Sequence, residues 1–174
     1  MPHTRDMKRI LPIIVIALAV SSLASADNLR NKIESMNRKI HNAFMKKDIN
    51  AFEQITRKGI TSDFKYVENG TPESYDEMVA QMKQSFNMMQ KVTAANSRIL
   101  KLSIHGDTAD CSTTHHMMAI VGGQDKKTHK MSFDGVSNDS YRKEDGKWKL
   151  ASMVWGKQKM TMDGKPFDPM KAGG

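Results

Sequence analysis

The sequence predicts an α+β fold in which a curved antiparallel β-sheet wraps around N-terminal helices like a cone. Apolar residues recur at helical spacing in the first half of the chain, and apolar and polar residues alternate in the second half. Residues 138–155 form the clearest β-hairpin pattern, with Asp145-Gly146 at its turn. A sheet with one apolar face has to be covered, and the amphipathic helices are the available cover.

The first 26 residues have the pattern of a secretory signal peptide. Three basic residues within the first nine precede an apolar run over residues 10–20, and an Ala-Ser-Ala segment ends at residue 26. The run is short for a membrane span, so an uncleaved anchor is the less favoured alternative. We therefore predict a secreted or periplasmic protein that begins at Asp27 and has no stable membrane anchor after cleavage.

Residues 27–174 are predicted to form a single domain with a tail from about residue 163. The chain is 39% hydrophobic and 26% charged, which is ordinary for a globular protein. Its formal net charge is +8, but no dense run of Lys and Arg with interleaved aromatic residues occurs, so nucleic acid is not an expected partner. Cys111 is the only cysteine, which excludes an intrachain disulfide.

Three helices are predicted before the main run of strands. Asp27 is the expected N-cap of the first, Asp48 restarts the chain as a shorter second helix, and Gly59 ends that helix. Ser74 and Glu77 match a capping box at the start of the third. The residues expected to face inward from the helices are Leu29, Ile33, Met36, Ile40, Ala43, Phe44, Ile49, Phe52, Ile55, Met78, Val79, Met82, Phe86 and Met89.

A short strand over residues 63–67 precedes the third helix, and four long antiparallel strands follow it. Turns are expected at Asn69-Gly70, at Gly106 and at residues 122–125. Alternation predicts which residues of the long strands face inward, unless a bulge at Gly135 changes the parity. They are Ala109, Cys111, Thr113, His115, Met117, Ala119, Val121, His129, Met131, Phe133, Ser137, Asp139, Tyr141, Trp148 and Leu150.

Several short motifs, in this order and spacing, resemble the nuclear transport factor 2-like superfamily, in particular its SnoaL-like members. The motifs are residues 43–52, Asp63-Phe64, residues 106–109, residues 139–141 and residues 145–150. The resemblance covers nearly all of residues 27–162. It implies a cone that encloses a pocket, which in this family is catalytic, binds a ligand or is filled by side chains. It also implies a homodimer, because subunits of the family commonly pair through the outer face of the sheet.

The resemblance does not extend to the catalytic set of ketosteroid isomerase-like members. Those enzymes hold a developing oxyanion with a tyrosine on the first helix, and Ile40 occupies the corresponding position here. A more general acid–base set is formed by Asp139, His115 and Tyr141, because all three are expected to face the pocket. The structural alternative is that these side chains only satisfy neighbouring polar groups. Whether the protein is an enzyme is therefore left open.

We predict an exported protein that binds a small apolar or amphipathic molecule, with no cofactor. The first alternative is an acid–base enzyme, a cyclase, isomerase or hydrolase that uses Asp139 and His115. The second alternative is a periplasmic copper binder, because thiol, thioether and imidazole groups suit a soft metal, although no established metal-ligand spacing is present. The expected ligand-binding residues are Phe64, Tyr66, Met82, Phe86, Met117, Phe133 and Trp155. The residues behind the copper alternative are Cys111, His115, His116, Met117, Met118, His129 and Met131.

Overall fold

Three helices precede and interrupt a seven-stranded sheet. The structure, a computed structural model, describes residues 11–123 and 126–168, and it describes side chains from residue 26 onward. The helices are α1 (Leu11–Lys46), α2 (Ile49–Gly59) and α3 (Tyr75–Met88). The strands are β1 (Ile60–Glu68), β2 (Thr71–Glu73), β3 (Met89–His105), β4 (Thr108–Gly122), β5 (Thr128–Glu144), β6 (Lys147–Met162) and β7 (Lys165–Pro166).

The strands lie in the order β2-β1-β6-β5-β4-β3, and β7 pairs with β6. The four long strands β3 to β6 are antiparallel, as predicted. The expectation of a wholly antiparallel sheet was wrong, because β1 pairs with β6 in parallel. A period of two in a sequence shows which face a residue occupies but not the direction of the neighbouring strand. The sheet is therefore mixed, and it forms a curved, unclosed cover over the helices.

The capping residues in the sequence predict most of the helix ends correctly. The Asp48 side chain accepts a hydrogen bond of 2.9 Å from the amide of Ala51 and caps α2. Ser74 and Glu77 form the predicted capping box of α3. Asp27 is not an N-cap, because α1 begins at Leu11 and runs through it without a break. The Ile, Leu and Ala residues before Asp27 are compatible with a helix, so nothing in that segment ends it.

Gly146 and Gly59 have different structural roles. At the β5–β6 turn, Asp145 and Gly146 have φ angles of 50° and 72°, which gives the predicted two-residue hairpin. Gly59 is the last residue of α2, as predicted, but it is not in the left-handed conformation of a helix C-cap. A Cβ atom there would lie 2.8 Å from the sulfur of Met36 in α1. Gly59 therefore allows the Met36 side chain to lie close to the end of α2.

The helices cover the inner face of the sheet through two main regions of packing. At one end, Leu29 and Ile33 of α1 are 0% and 1% exposed and contact a cluster on β4 to β6 that includes Tyr141 and Trp148. At the other end, Ala43 of α1 packs with α2, α3 and β1. The inward parity predicted for β4 and β5 is confirmed, because their cross-strand register is continuous from residue 108 to residue 142. The irregularity near Gly135 affects only the pairing of β5 with β6.

The end of the chain returns to the sheet within the segment predicted to be a tail. The Phe167 amide donates a hydrogen bond of 2.9 Å to the Met160 carbonyl. Residues 1–10, 124–125 and 169–174 lie outside the described residues, and with them parts of the predicted signal peptide, of the 122–125 turn and of the tail. None of the described helices combines the length and the apolar character that a membrane span requires. The signal peptide and the homodimer stay predictions.

Candidate functional site

A cavity of about 440 Å³ lies between the three helices and the inner face of the sheet. Its volume is in the range of pockets that bind small molecules. Its walls are mainly apolar and aromatic, and polar groups reach it from the helices and from the sheet. The lining residues include Asn37, His41, Phe64, Tyr66, Glu68, Met82, Ser97, His115, Met117, Phe133, Asp139, Tyr141 and Trp155.

Nine of the ten candidate residues from the sequence line this cavity. They are Asp139, His115, Tyr141, Phe64, Tyr66, Met82, Met117, Phe133 and Trp155. Phe86 does not line it. Instead, Phe86 is 4% exposed and packs edge-on against Phe44, with ring centroids 5.3 Å apart. Helical periodicity correctly placed Phe86 on the inward face, but that face includes both solid core and cavity wall.

Three rings in the wall of the cavity, those of His115, Phe133 and Trp155, contact one another. The His115 and Trp155 ring centroids are 4.9 Å apart, and the Phe133 ring meets Trp155 edge-on at 5.4 Å. Gly135 lies directly across from His115 in the β4–β5 register. A Cβ atom at this position would lie 2.8 Å from both Phe133 Cζ and Trp155 Cζ3. The two rings therefore occupy the space that any other residue at 135 would fill.

Asp139 is the most unusual polar group of the cavity. Its side chain is 5% exposed, and Thr113 Oγ1 lies 3.4 Å from its Oδ2. Among the described residues, no group forms a hydrogen bond with its Oδ1. Burial raises the pKa of Asp139 to about 6, although the Ser137 and Thr113 hydroxyls act in the opposite direction. A carboxyl group with this pKa can both accept and donate a proton near neutral pH.

Tyr141 and Cys111 lie beside Asp139, and both are uncharged near neutral pH. Burial raises the pKa of the Tyr141 hydroxyl well above its ordinary value, and the Asp139 carboxylate adds to this effect. Burial also raises the pKa of the Cys111 thiol. Neither group is therefore ionised near neutral pH. They form a neutral wall beside the carboxyl group.

His115 is held by two serine hydroxyls. Its Nδ1 lies 2.9 Å from Ser97 Oγ, and its Nε2 lies 2.9 Å from Ser137 Oγ. Burial, and to a smaller extent the neighbouring His41, lower the pKa of His115 to about 4. His115 is therefore a neutral imidazole with both nitrogen atoms occupied. Ser137, its partner on β5, lies two residues before Asp139.

The sequence reasoning did not identify His41 and Ser97. The Nε2 atom of His41 on α1 lies 2.9 Å from Ser97 Oγ on β3, which continues the network beyond His115. Asn37 and His41 are four residues apart and both line the cavity. A polar pair at this spacing, beside the apolar stripe of α1, was the available signal. No comparable signal marked Ser97, because a serine on an edge strand is common.

Three residues of the copper alternative, His116, His129 and Cys111, are paired with other polar side chains. His116 Nδ1 lies 2.7 Å from Asp134, whereas His129 Nδ1 lies 2.7 Å from Asp163. Cys111 contacts Thr113 instead, at 3.5 Å. Within the part of the chain that the structure describes, no group of three or more His, Cys, Asp or Glu side chains is arranged to hold a metal ion.

The fold and cavity define a class of protein: a single α+β domain whose curved mixed sheet and helices enclose a pocket of ligand size. The model of the SnoaL-like domain matches residues 33–155, and the chain belongs to this family within the nuclear transport factor 2-like superfamily. The resemblance predicted from the motifs is thereby confirmed. No match was found among curated protein sequences.

Solved structures of low sequence identity share the fold. A conserved protein from Planctomyces limnophilus is 20% identical, with a TM-score of 0.58 over 75% of this chain and 94% of that chain. A type 2 hexachlorocyclohexane dehydrochlorinase is 13% identical, with a TM-score of 0.59 over 87% of this chain and 94% of that chain. A nuclear transport factor 2-like superfamily protein from Salmonella enterica serovar Typhimurium is 10% identical, with a TM-score of 0.52 over 75% and 91%.

We expect Gly135→Ala to destabilise the protein by about 1–3 kcal/mol, because the new methyl group overlaps the Phe133 and Trp155 rings. Urea unfolding measures the change, and the emission of Trp155 in a Trp148→Phe background reports displacement of its ring. Gly122→Ala is the control, since a Cβ there would meet only the end of the Gln90 side chain, at 3.3 Å. Wild-type stability and emission in Gly135→Ala would contradict the tight packing described above.

We expect Asp139→Asn to gain stability relative to the wild type as pH rises from about 4 to about 6. The folded protein holds the Asp139 proton more tightly than the unfolded chain does, so this group lowers the free energy of unfolding through that window. The separation between the ordinary pKa of 3.8 and about 6 corresponds to about 3 kcal/mol. Denaturant unfolding of both proteins across this pH range measures the difference.

The comparison with the variant is needed because His115 has the opposite effect. The pKa of His115 is lower in the folded protein than in the unfolded chain, so His115 contributes stability above about pH 6.5 and loses this contribution as pH falls towards 4. In the wild type this change opposes that of Asp139, so the pH dependence of wild-type stability does not reveal either group alone. Asp145→Asn is the control, since Asp145 is exposed at the β5–β6 turn and Asn tolerates its positive φ. If the stability difference between Asp139→Asn and wild type does not change with pH, the buried carboxyl group has an ordinary pKa.

Proposed function

We propose that the protein binds a small, neutral, mainly apolar molecule that carries one hydroxyl or carbonyl group. The observation that carries this proposal is an apolar cavity of about 440 Å³ with one buried carboxyl oxygen, Asp139 Oδ1, that has no partner among the described residues. Apolar walls supply most of the binding free energy, whereas a buried polar atom without a partner favours a ligand that can satisfy it.

A second polar atom restricts how the ligand lies. The Nε1 atom of Trp155 is buried and has no partner of good geometry among the described residues, although it is close enough to lower the pKa of the Tyr66 hydroxyl, which burial raises. Asp139 pairs with Met153, so Trp155 is its diagonal neighbour on the same face, at about 7–8 Å. An oxygen atom of the ligand placed between them would contact both groups.

The charge of the cavity excludes anionic ligands from this proposal. Among the described residues that line it, none is Lys or Arg, and the acidic groups are Glu68 and Asp139. Glu68 is already paired with the Tyr66 hydroxyl at 2.8 Å and with the Gln158 amide at 3.0 Å. A carboxylate ligand would therefore be buried without a positive partner and beside a negative one.

We expect 2-naphthol to bind at least about tenfold more tightly than 2-naphthoate, because the anion has no counter-charge in the cavity. Quenching of Trp155 emission in a Trp148→Phe background measures both affinities, since Trp148 and Trp155 are the only tryptophans. Asp139→Leu should weaken binding of 2-naphthol but not of naphthalene. The proposal is wrong if 2-naphthol and 2-naphthoate bind equally well, or if neither binds.

The second candidate function is proton-transfer catalysis at a carbon beside a carbonyl group. It is favoured by the Asp139 pKa of about 6, which leaves a carboxylate base at neutral pH in a dry apolar site. The indole N–H of Trp155 is placed to donate to the oxygen of an enolate, a role that Ile40 cannot fill. One solved neighbour is named as a dehydrochlorinase, and its similarity to this chain is limited to the fold.

We expect the protein to accelerate deuterium exchange at the carbon atoms beside the carbonyl of 2-tetralone in D₂O, as followed by proton NMR. Asp139→Asn should reduce this exchange by at least about 100-fold, because an amide cannot act as the base. The rate in the wild type should fall as pH drops through about 6, where the carboxylate is protonated. Exchange at the buffer rate in the presence of wild-type protein would leave ligand binding as the function.

A further inference from the structure

A polar groove of about 480 Å³ lies between α1 and β3, the strand at the edge of the sheet. Its lining differs from that of the apolar cavity, because Ile99 is the only apolar residue among the described residues that line it. Asn37, His41, Asn96 and Ser97 line both spaces. A molecule in the groove would therefore contact mainly polar side chains, whereas a molecule in the cavity would contact mainly apolar ones.

The groove has an excess of positive charge. Arg30, Arg38 and Arg98 line it, and Glu34 is the one acidic residue among the described residues that do so. Glu34 lies 3.9 Å from Arg30, one turn away on α1, and offsets its charge. Neither Arg38 nor Arg98 forms an ion pair within the part of the chain that the structure describes. Two positive charges from different elements thus line one groove without a counter-charge.

The packing of α1 on β3 brings the two arginines to the same groove. His41 Nε2 on α1 lies 2.9 Å from Ser97 Oγ on β3, and both residues belong to the lining. Arg38 lies one helical turn before His41, whereas Arg98 directly follows Ser97. Both arginines are exposed, so a ligand from solution can reach them.

We propose that this groove binds a small, polar phosphate monoester of the sugar phosphate type. A phosphate monoester carries nearly two negative charges near neutral pH, which matches the two unpaired arginines. A guanidinium group can also donate two parallel N–H bonds to phosphate oxygens. Asn37, Asn96 and Ser97 supply donors and acceptors for hydroxyl groups on the rest of the molecule.

The size and polarity of the groove favour such a molecule over a free phosphate ion or a lipid headgroup. A volume of about 480 Å³ is in the range of sites for small molecules and is more than a phosphate ion fills. A lipid would bring apolar chains to the groove, where Ile99 alone among the described lining residues offers an apolar contact. The polar residues instead match a ligand that has hydroxyl groups beside its phosphate.

This inference goes beyond the function proposed for the cavity and does not depend on it. Arg38 and Arg98 line the groove but not the cavity, and Asp139 and Trp155 line the cavity but not the groove. The two spaces therefore have opposite preferences, one for a neutral apolar molecule and the other for a polar anion. Each can be tested while the other is empty.

The test is isothermal titration calorimetry of the protein with glucose-6-phosphate, inorganic phosphate and glucose. The three titrations are made at about pH 7.5, where the phosphate ester is mainly a dianion, and at one ionic strength, because salt screens exposed charges. We expect glucose-6-phosphate to bind at least about tenfold more tightly than either of the other two, because it alone contacts both the arginines and the polar side chains. It should also shift the ring NMR signals of His41, which are identified by their loss in His41→Gln.

We expect the double variant Arg38→Gln/Arg98→Gln to bind glucose-6-phosphate at least about tenfold more weakly than the wild type. Glu34→Gln should bind it at least about twofold more tightly, because this change removes a negative charge and frees Arg30 from its partner. Lys91→Gln is the control, since Lys91 is an exposed cation on β3 that lines neither the groove nor the cavity. The double variant should bind 2-naphthol with wild-type affinity.

Three results would overturn the inference. If glucose-6-phosphate does not bind, the groove is not a phosphate site. If inorganic phosphate binds as tightly, the groove holds only an ion. If Lys91→Gln loses as much affinity as the double variant, binding reflects net charge rather than this groove. None of these results changes the outcome expected for 2-naphthol, so a failure here is distinct from a failure of the function proposed for the cavity.

Discussion

The site depends on how α1 packs against the sheet. Leu29 and Ile33 fix the middle of the helix against β4 to β6, and Ala43 fixes its C-terminal end against α2, α3 and β1. Between these contacts, the cavity-facing side of α1 carries Asn37 and His41 together with Met36 and Ile40. Because the helix is held on both sides of this segment, the segment does not have to close on the sheet. The cavity is the space left under it.

The sheet contributes to the same space through small residues. The inner face of β5 carries Gly135 and Ser137 between the larger Phe133 and Tyr141, and Thr113 lies across from Ser137 on β4. Close packing favours filling such a gap with larger apolar residues. The small residues instead leave room for a ligand, and Gly135 allows Phe133 and Trp155 to approach each other. The inner face of β5 thus combines small residues, the aromatic rings of Phe133 and Tyr141, and the buried carboxyl group of Asp139.

The faces of the strands could be predicted because alternation is a local property. The parity of β4 and β5 placed His115, Asp139 and Tyr141 in the cavity from the sequence alone. The parallel pairing of β1 with β6 could not be predicted, because it joins segments separated by the rest of the sheet. For the same reason the network was missed: Ser97 and Ser137 become neighbours of His115 only when three strands are in register. Phe86 shows a further limit, since an inward position does not distinguish core from cavity wall.

The relative proton affinities of Asp139 and His115 follow mainly from burial. In water an imidazole holds a proton more tightly than a carboxylate does, with ordinary pKa values of 6.5 and 3.8. Burial disfavours the charged form of each group, which raises the pKa of Asp139 to about 6 and lowers that of His115 to about 4. A single environment therefore reverses their order. The histidine remains a neutral imidazole, and the carboxyl group becomes the only one of the pair that changes charge near neutral pH.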